Sequence, residues 1–461
     1  MQALLGDEYD AFARALEADQ AVSLRYNPLK TSFAPADAEA MRVPWASRGY
    51  YLAERPAFTF DPLFHAGAYY VQEASSMFLE QALRQYVDGP VRYLDLCAAP
   101  GGKTTLAISA LPEGSLVVGN EVDRKRANIL AKNVAKWGSA STLVSNRRAD
   151  SFTPLESFFD VILTDVPCSG EGMFRKDPRA VEEWSEANVA NCAVRQREIL
   201  QDIWPALRPG GLLIYSTCTY NTEENEEMLQ WICRELGAEM LPLSIDPAWG
   251  IHAPLREGVS AYRFMPHTTR GEGLFMAVLR KADDGEAPAD GDRLVRDFAR
   301  KRLKKGGKRE MPFPKEATGW VINPETFRFE VEGDRLVAYP REHADELLML
   351  ADRLAPLSAG LTLGTVKGKD IVPDHQLALS AALRPDAFPR AEIDRETALS
   401  YLRREAIALP ADLPKGYVVV CYEGHPLGFA KHLGNRSNNL YPQEWRIRSS
   451  YSPEEEWSAI L

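Results

Sequence analysis

The chain has 461 residues, of which 45% are hydrophobic and 26% charged, and its formal net charge is -11. This length predicts about three domains with buried cores, and the excess of acids disfavours a protein that coats nucleic acid by charge alone. The acid-rich start "MQALLGDEYDAFARALEADQ" is unlike a signal peptide. No uncharged run approaches the ~20 residues of a membrane helix, so we expect a cytoplasmic protein with no membrane contact.

The six cysteines contain no C-x-x-C pair, and the histidines supply no metal-ligand spacing beside them. We therefore expect neither a disulfide framework nor a metal site. In a reducing compartment most cysteines are small core residues, so any cysteine with a function must stand out by its position.

Residues 1 to 90 combine a helical start with the segment "SLRYNPLK" and an aromatic, turn-rich region that ends in "AGAYYVQEASSMFLEQAL". The region is too long for a tail. It predicts an N-terminal α+β cap.

Residues 91 to 282 alternate short apolar runs with helical patterns, which is typical of βαβ units and a parallel sheet. A helix is expected over 185 to 207, ended by Arg208-Pro209-Gly210-Gly211. The predicted fold is an α/β, doubly wound, Rossmann-like sheet, which binds ligands at the carboxyl ends of its strands. The runs that predict strands are "VRYLDL", "SLVVG", "STLVS", "FDVILT", "GLLIYS" and "LFMAVLR", at 91 to 96, 115 to 119, 141 to 145, 159 to 164, 211 to 216 and 274 to 280.

A sharp change of charge follows this region. Residues 283 to 292, "DDGEAPADGD", hold five acids and no base, whereas 293 to 309, "RLVRDFARKRLKKGGKR", hold nine bases and one acid. Such a change predicts a linker that leads into a new module. Two C-terminal domains are expected, over residues 291 to 355 and 356 to 461, the second rich in β-strands.

The turn in "LCAAPGGKTTLAI" ends like a P-loop, but Cys97 stands where a P-loop requires glycine. G-x-G-x-x-G is also absent. Glu121 follows the second strand, about twenty residues after the glycine turn, where a carboxylate can accept hydrogen bonds from the ribose hydroxyls. Asp150 and Asp165 follow the third and fourth strands. A glycine turn with a ribose acid and an adenine-facing acid fits a nucleoside without phosphates, and we expect S-adenosylmethionine.

Two cysteines follow consecutive strands, Cys168 in "DVPC" and Cys218 in "STC". Consecutive strands usually lie side by side, so both thiols are expected to face the cofactor crevice. A thiolate that adds to C6 of cytosine makes C5 nucleophilic enough to accept a methyl group, and the thiol can leave afterwards. Chemistry alone leaves open which cysteine is the nucleophile.

The motifs "LDLCAAPGGKTT", "DVPCSGEGMFRKDP" and "YSTCTYNTEENE", in this order, closely resemble the RNA cytosine-5 methyltransferases of the Sun family. The resemblance continues in "SLRYNPLK", "YYVQEASS" and "RFMPHTTRGEGLFMAVL". The terminal "VVVCYEGHPLGFAKHLGNRSNNLYPQEWRI" resembles the PUA-like RNA-binding module of the RsmF-type branch. The resemblance implies a class I methyltransferase sheet and methyl transfer to a cytosine of 16S ribosomal RNA, with tRNA as the alternative substrate.

The resemblance also implies a role for each matching residue. Cys218 matches the nucleophile, Cys168 the cysteine that helps to expel it, and Asp165 the acid at the cytosine edge. DNA cytosine-5 methyltransferases instead use the cysteine that follows proline. Lys103 lies near both ligands. The positions that match S-adenosylmethionine contacts are Cys97, Ala98, Ala99, Pro100, Gly101, Gly102, Lys103, Glu121, Arg126, Asp150 and Asp165.

RNA must also be held outside the pocket, because the target base has to leave its stack. The candidate contacts are basic residues of the N-terminal cap, the basic helix and the terminal module, with three aromatic residues for stacking. They are Arg25, Lys30, Arg300, Lys301, Arg302, Lys304, Lys305, Lys431, His432, Arg436, Arg446 and Arg448, and the aromatic Tyr422, Tyr441 and Trp445.

The expected partner is RNA, namely 16S ribosomal RNA or the small ribosomal subunit, and the expected state is a metal-free monomer. Two other classes of protein stay as alternatives. One is a P-loop NTPase, and the other is a non-catalytic RNA-binding protein built on a methyltransferase scaffold.

Overall fold

The computed structural model describes residues 1 to 32, 41 to 283, 285, 291 to 304 and 312 to 451. The N-terminal part combines helices with a three-stranded antiparallel sheet, as the sequence predicts. Its strands pair in the order β2-β1-β3. Its helices are α1 Gln2–Leu5, α2 Tyr9–Glu17, α3 Pro62–Ala66 and α4 Leu79–Tyr86, and its strands are β1 Val22–Tyr26, β2 Gly49–Leu52 and β3 Tyr69–Val71.

The catalytic sheet lies at the centre of the molecule, and all six predicted apolar runs form strands in it. Its strands are β4 Arg92–Asp95, β5 Leu116–Asn120, β6 Thr142–Ser145, β7 Phe159–Asp165, β8 Leu207–Thr217, β9 Ala238–Leu241, β10 Tyr262–Phe264 and β11 Leu274–Lys281. Helices cover the sheet, and they are α5 Gly102–Ala110, α6 Arg124–Trp137, α7 Pro178–Glu183, α8 Glu186–Ile203 and α9 Glu226–Leu236.

The sheet is mixed rather than parallel. The five strands β4 to β8 are parallel, but β11 runs antiparallel to β8, and β9 and β10 run antiparallel to β11. The expectation of a parallel sheet is therefore wrong at this edge. The apolar run at 274 to 280 is buried on both faces of the sheet. An inner strand has such a continuous apolar sequence whether it runs parallel or antiparallel to its neighbours.

The predicted end of the helix at Arg208-Pro209-Gly210-Gly211 is also wrong. The helix ends at Ile203, and these four residues lie inside β8. The pairing register shifts here, with Phe159 opposite Leu207 and Val161 opposite Leu212. Gly210 has a φ of 71°. The turn-forming residues thus make a bulge in a strand rather than a loop.

The C-terminal part begins with helix α10 Gly291–Lys304 and forms two further sheets, in the orders β12-β13-β15-β16 and β17-β18-β19-β20. The first sheet continues across residue 355, where the sequence places a domain boundary. The elements are α11 Lys315–Thr318, β12 Phe327–Glu332, β13 Arg335–Pro340, α12 Ala344–Leu354, β14 Ser358–Ala359, β15 Leu361–Lys367, β16 Asp370–Pro373, α13 His375–Leu379, β17 Arg390–Glu392, α14 Arg395–Leu402, β18 Gly416–Tyr422, β19 His425–His432 and β20 Ser437–Asn439.

The C-terminal part is joined to the rest by strand pairing and by shared hydrophobic clusters. Strand β14 pairs antiparallel with β6 and so extends the catalytic sheet. The last sheet shares a hydrophobic cluster with the N-terminal part, in which Phe60 and Ala66 accompany Tyr401, Leu427 and Tyr441. Within the described parts of the chain, no helix has both the length and the apolar character that a membrane span requires.

Candidate active site

A cavity of about 670 Å³ lies at the carboxyl ends of β4, β5, β7 and β8. Glu121 and Arg126 line one part of it, and Asp165, Cys168 and Cys218 line another. These ends are where a sheet with a reversal of strand order binds its ligand. The cavity therefore brings together two of the predicted cofactor residues with three of the predicted catalytic residues.

The glycine turn between β4 and α5 is fixed by side chains of α6. Arg126 donates from Nη2 to the Ala99 carbonyl at 2.7 Å, and Asn133 donates from Nδ2 to the Pro100 carbonyl at 2.8 Å. Gly101 has a φ of 112°, and a Cβ there would lie 3.2 Å from Leu130 Cδ1. The left-handed backbone explains why glycine stands here.

Asp95, which the sequence analysis overlooked, is the last residue of β4 and is fully buried. Thr104 donates to its Oδ2 at 2.6 Å, whereas its Oδ1 has no hydrogen-bond partner among the described residues. Burial raises the pKa of Asp95 to about 7. Asp95 itself does not line the cavity, although Leu96 and Cys97 directly after it do, and a buried carboxylate oxygen of this kind has capacity for one more donor. The available signal was an acid directly before the glycine turn in "LDLC".

Glu121, at the end of β5, is buried and faces the cavity. Its Oε1 accepts from the Asp123 backbone amide at 3.0 Å, and its Oε2 lies 3.3 Å from Arg126 Nη1. An oriented carboxylate at this position suits a pair of ribose hydroxyls.

Asp150 is placed differently from the other predicted cofactor residues. It lies in the short 3-10 helix Ala149–Phe152, its side chain is 54% exposed, and it is 3.4 Å from Arg148 Nε. Ala149 and Arg148 line the cavity, and Asp150 is not among the lining residues. Contact of Asp150 with an adenine ring stays a prediction.

The two cysteines meet at the other part of the cavity. Strands β7 and β8 are adjacent and parallel, with Asp165 opposite Ser216, and Cys168 Sγ lies 3.3 Å from Cys218 Sγ. The prediction that both thiols share one crevice is confirmed. A hydrogen bond from Cys168 lowers the pKa of Cys218, and the same bond raises the pKa of Cys168. The contact between the two sulfur atoms is symmetric, and it is the positive charge of Lys103, which also lowers the pKa of Cys218, that favours Cys218 as the thiolate.

Lys103, at the start of α5, makes an ion pair with Asp165. Its Nζ lies 2.7 Å from Asp165 Oδ2, and Ser216 donates to Oδ1 at 2.8 Å. Burial would lower the pKa of Lys103, but the charge and hydrogen bond of Asp165 outweigh burial and raise it. The lysine is therefore an ammonium at neutral pH, and its charge further lowers the pKa of Cys218.

A buried glutamate that the sequence analysis did not single out joins the two cysteine loops. Glu224 accepts hydrogen bonds from Ser169 N at 3.0 Å, Gln196 Nε2 at 2.7 Å and Asn221 Nδ2 at 2.8 Å. Gln196 also donates to the Pro167 carbonyl at 3.0 Å. This network fixes the backbone on either side of the thiols. Glu224 lies within "YSTCTYNTEENE", so its motif pointed to it.

Four of the predicted RNA contacts are wrong, because their side chains lie inside the protein. Arg25, His432 and Tyr441 are at most 2% exposed. Lys30 donates from Nζ to the carbonyls of Ala66 and Lys136, both at 2.5 Å. Arg25, Lys30 and Tyr441 instead join different parts of the chain through hydrogen bonds, and none of the four side chains is placed to meet RNA.

The remaining predicted contacts differ in exposure. Arg302 pairs with Glu330 at 2.9 Å, and Lys431 lies over the Tyr417 ring. Tyr422 and Trp445 are half-buried, and Lys305 lies outside the described residues. The predicted contacts with exposed side chains are Arg300, Lys301, Lys304, Arg436, Arg446 and Arg448.

One group of possible metal ligands occurs among the described residues, although the sequence predicts none. His252 Nε2 and His267 Nε2 lie 2.9 and 3.0 Å from Glu8 Oε2. These are hydrogen-bond distances. The group therefore ties the start of the chain to the catalytic domain.

Known protein families match three separate regions of the chain. Three family models match the chain, namely the N-terminal domain of 16S rRNA methyltransferase RsmF over residues 1 to 74, the 16S rRNA methyltransferase RsmB/F over 86 to 280, and the methyltransferase RsmF PUA domain over 388 to 447.

Solved structures resemble the chain as well. A methyltransferase homologue from Pyrococcus horikoshii is 29% identical with a TM-score of 0.52, covering 61% of this chain and 92% of its own. NSun6 from the same organism, crystallised with SFG, is 21% identical with a TM-score of 0.51, covering 61% and 97%. The second likeness concerns the fold alone.

Curated relatives span nearly the whole chain. Ribosomal RNA small subunit methyltransferase F of Erwinia tasmaniensis is 31% identical, covering 96% of this chain and 95% of its own length. The protein of the same name from Salmonella agona is 33% identical, covering 95% and 92%. The chain therefore belongs to the family of RsmF-type 16S ribosomal RNA methyltransferases, and it is an S-adenosylmethionine-dependent enzyme.

Proposed function

We propose that the protein methylates C5 of a cytosine in 16S ribosomal RNA through a covalent adduct with Cys218. The observation that carries this proposal is the meeting of two thiols at 3.3 Å beside the Lys103–Asp165 ion pair, in the cavity that also holds Glu121. Direct methylation of oxygen or nitrogen needs no thiol. A pair of thiols at the ligand end of the sheet fits a carbon nucleophile that must first be activated.

Cys218 attacks C6 of the flipped base as a thiolate, and a carbon–sulfur bond forms while the C5–C6 π electrons move toward C5. Bound S-adenosylmethionine supplies the methyl group that C5 accepts. Loss of the C5 proton to a base then re-forms the double bond and expels the Cys218 thiolate. Cys168, whose Sγ lies 3.3 Å from Cys218 Sγ, would stabilise the departing thiolate by donating a hydrogen bond to it.

Lys103 and Asp165 assist the same steps. Asp165 keeps one carboxylate oxygen on Ser216 and the other on Lys103, so its orientation is fixed before a base enters. The Lys103 ammonium stabilises the Cys218 thiolate and the negative charge that develops in the ring. Preorganised charges of this kind act strongly in a cavity from which water is excluded.

The cofactor fits the remaining features of the cavity. Glu121 would hold the ribose hydroxyls, and the methionine end would lie at the glycine turn that follows β4. The backbone from Cys97 to Lys103 surrounds that end. One chain supplies every group named here, so the reaction as proposed needs neither a metal nor a second copy of the protein.

The 16S ribosomal RNA substrate is supported by the relatives, whose names state small-subunit ribosomal RNA, and by the matching family models, whose descriptions name 16S rRNA and the RsmF PUA domain. The exposed arginines 436, 446 and 448 lie in or beside that match. They would contact phosphates rather than bases, so affinity for RNA should fall steeply as salt rises.

The test is bisulfite sequencing of ribosomal and transfer RNA from cells with and without the gene. We expect one or more 5-methylcytosines in 16S ribosomal RNA to disappear with the gene and to return with the wild-type copy. Loss of a tRNA methylation instead would assign the same chemistry to tRNA. Unchanged 5-methylcytosine in both RNAs would refute the proposal.

A further inference from the structure

Arg25 of the N-terminal domain reaches into the catalytic domain beneath the glycine turn. It lies on β1 and is only 2% exposed. Its Nη2 donates to Thr105 Oγ1 at 2.7 Å and to the Gly102 carbonyl at 3.3 Å. Its Nε donates to Gln72 Oε1 at 2.7 Å. A guanidinium from one domain is thus bonded to the first turn of α5 in the other.

The contact continues to the cofactor turn through Thr105. The Thr105 hydroxyl, which accepts from Arg25, donates to the Gly101 carbonyl at 2.8 Å. On the other side, the guanidinium lies 4.5 Å from the centre of the Trp137 ring at the end of α6. Arg25 therefore bridges both helices that support residues 97 to 103.

The N-terminal domain also packs closely against the turn itself. A Cβ added to Gly102 would lie 3.5 Å from Tyr70 Cε1 and 3.6 Å from the Gln72 side chain. Tyr70 is the middle residue of β3 in the N-terminal sheet, and Gln72 directly follows that strand. The turn is consequently enclosed by N-terminal residues on its outer side.

Arg25 is an unusual buried charge, because it has no carboxylate within ion-pair distance among the described residues. Burial lowers the pKa of Arg25 to about 9, and the charge of Glu80 partly opposes that effect. The side chain is still a cation at neutral pH. An unpaired buried charge is costly, and the hydrogen bonds and the Trp137 ring offset only part of that cost. Its field acts on the turn that would receive the carboxylate end of the cofactor.

We propose that Arg25 is a positioning residue for S-adenosylmethionine, which makes the N-terminal domain part of the cofactor site. The guanidinium fixes the first turn of α5 through Thr105 and Gly102, and it adds positive potential beneath the glycine turn. This inference rests on the proposed function, in which residues 97 to 103 surround the methionine end of the cofactor.

The experiment measures binding of S-adenosylhomocysteine by calorimetry and binding of a 16S ribosomal RNA fragment by filter retention. The variants are Arg25→Gln, Arg25→Lys and Thr105→Val. The control is Lys30→Met, which removes another buried link between the same domains, from Lys30 to the end of α6. We expect Arg25→Gln to weaken S-adenosylhomocysteine about tenfold, as for the loss of a charged hydrogen-bond donor.

Smaller effects are expected for the other variants. Arg25→Lys keeps the charge but not the forked geometry, and should fall between wild type and Arg25→Gln. Thr105→Val should weaken the ligand about threefold. In Arg25→Gln, KM for S-adenosylmethionine should rise. Its kcat at saturating cofactor should change only slightly, by less than the change in RNA affinity that Lys30→Met shows.

Three outcomes would decide against the inference. Equal weakening by Arg25→Gln and Lys30→Met would mean that Arg25 acts only through domain packing. Unchanged affinity in folded Arg25→Gln would remove any role in binding. If that variant does not fold, unchanged affinity in both Arg25→Lys and Thr105→Val overturns the inference. Failure of the wild-type protein to bind S-adenosylhomocysteine would instead refute the proposed function.

Discussion

The two ends of the catalytic sheet carry cavities of similar size and different character. The cavity at the carboxyl ends holds about 670 Å³ and the one at the amino ends about 510 Å³. At the amino ends, Arg92 pairs with Glu346 and Asp292. His343 lies 3.3 Å from Glu346. The charges there neutralise one another across the catalytic and C-terminal parts.

The carboxyl-end cavity contains polar and reactive groups that the surrounding side chains leave available to a ligand. Cys168 and Cys218 line this cavity, contact each other and are not joined by a disulfide. Volume and charge alone would not show which of the two cavities is the active site. What separates them is whether the polar groups have already satisfied one another.

The largest effect is expected for Cys218→Ala. Removal of the nucleophile should lower methylation of 16S ribosomal RNA by about a thousandfold or more, because C5 is then never activated. Incorporation of labelled methyl groups from S-adenosylmethionine measures the loss. Cys192→Ala is the matched control, because Cys192 is a buried cysteine on α8 and is expected to keep its activity.

Cys168→Ala tests whether Cys168 is the thiol that helps to release the adduct. With Cys218 present and its partner removed, release of the adduct should slow, and a protein–RNA complex should persist on denaturing gels. An adduct from Cys218→Ala but not from Cys168→Ala would reverse the two roles. The carboxyl-end cavity would still be catalytic, with the residues exchanged.

Lys103→Met comes next in size. The ammonium supports both Asp165 and the Cys218 thiolate, so its loss should lower methylation about a hundredfold and move the rate–pH curve to higher pH. RNA affinity should change less than twofold, and Lys125→Met, on the exposed surface of α6, should behave as wild type. Equal loss of RNA affinity and methylation would show that Lys103 binds RNA instead.

The sequence specified this cavity better than its surroundings. The glycine turn, Glu121 and the two cysteines come directly after apolar runs, so adjacency of strands places them together, and the meeting of the thiols is confirmed. Asp95 was missed because an acid at the end of an apolar strand is common. Only the structure shows that one of its oxygens lacks a donor among the described residues.

Direction and burial were harder to predict. The run that forms β11 looks the same in a parallel or an antiparallel strand, which is why the sheet was expected to be parallel. Arg25 and Lys30 were expected to face RNA because arginine and lysine are usually exposed. Their burial depends on carbonyl groups and a tryptophan ring contributed by residues far away in the sequence.

Arg92→Met should show that the amino-end cavity contributes to the stability of the fold and not to methylation. The side chain donates to Glu346 at 3.1 and 3.0 Å and to Asp292 at 2.6 Å, and its loss should lower the free energy of unfolding by about 2 kcal/mol. Urea unfolding measures the change. Methylation by the folded enzyme should stay within twofold of wild type, because the reacting groups lie at the other end of the sheet. A larger loss of methylation would mean that the two ends are coupled.

The smallest expected effect is on the pH dependence of the unfolding free energy, through the charged groups of the amino-end cavity. Burial would lower the pKa of His343, but its hydrogen bond and charge interaction with Glu346 outweigh burial and raise it. Burial would raise the pKa of Glu346, but His343 and Arg92 lower it. The His343 contribution is complete below its unfolded pKa of ~6.5 and is lost as pH rises through the folded value, whereas the Glu346 contribution is complete above ~4.5 and is lost on acidification.

The pair should therefore stabilise the fold most between these limits. Wild type should lose on the order of 0.5 kcal/mol more unfolding free energy than His343→Gln between pH 6 and pH 8.5, because the pair is only partly shielded from solvent. Urea unfolding at the two pH values measures the difference. His425→Gln is the control, since His425 lies in β19, away from this cavity, and its folded pKa is lowered, mainly by burial. An equal pH response in wild type and His343→Gln would show that the amino-end charges neutralise one another without the histidine proton.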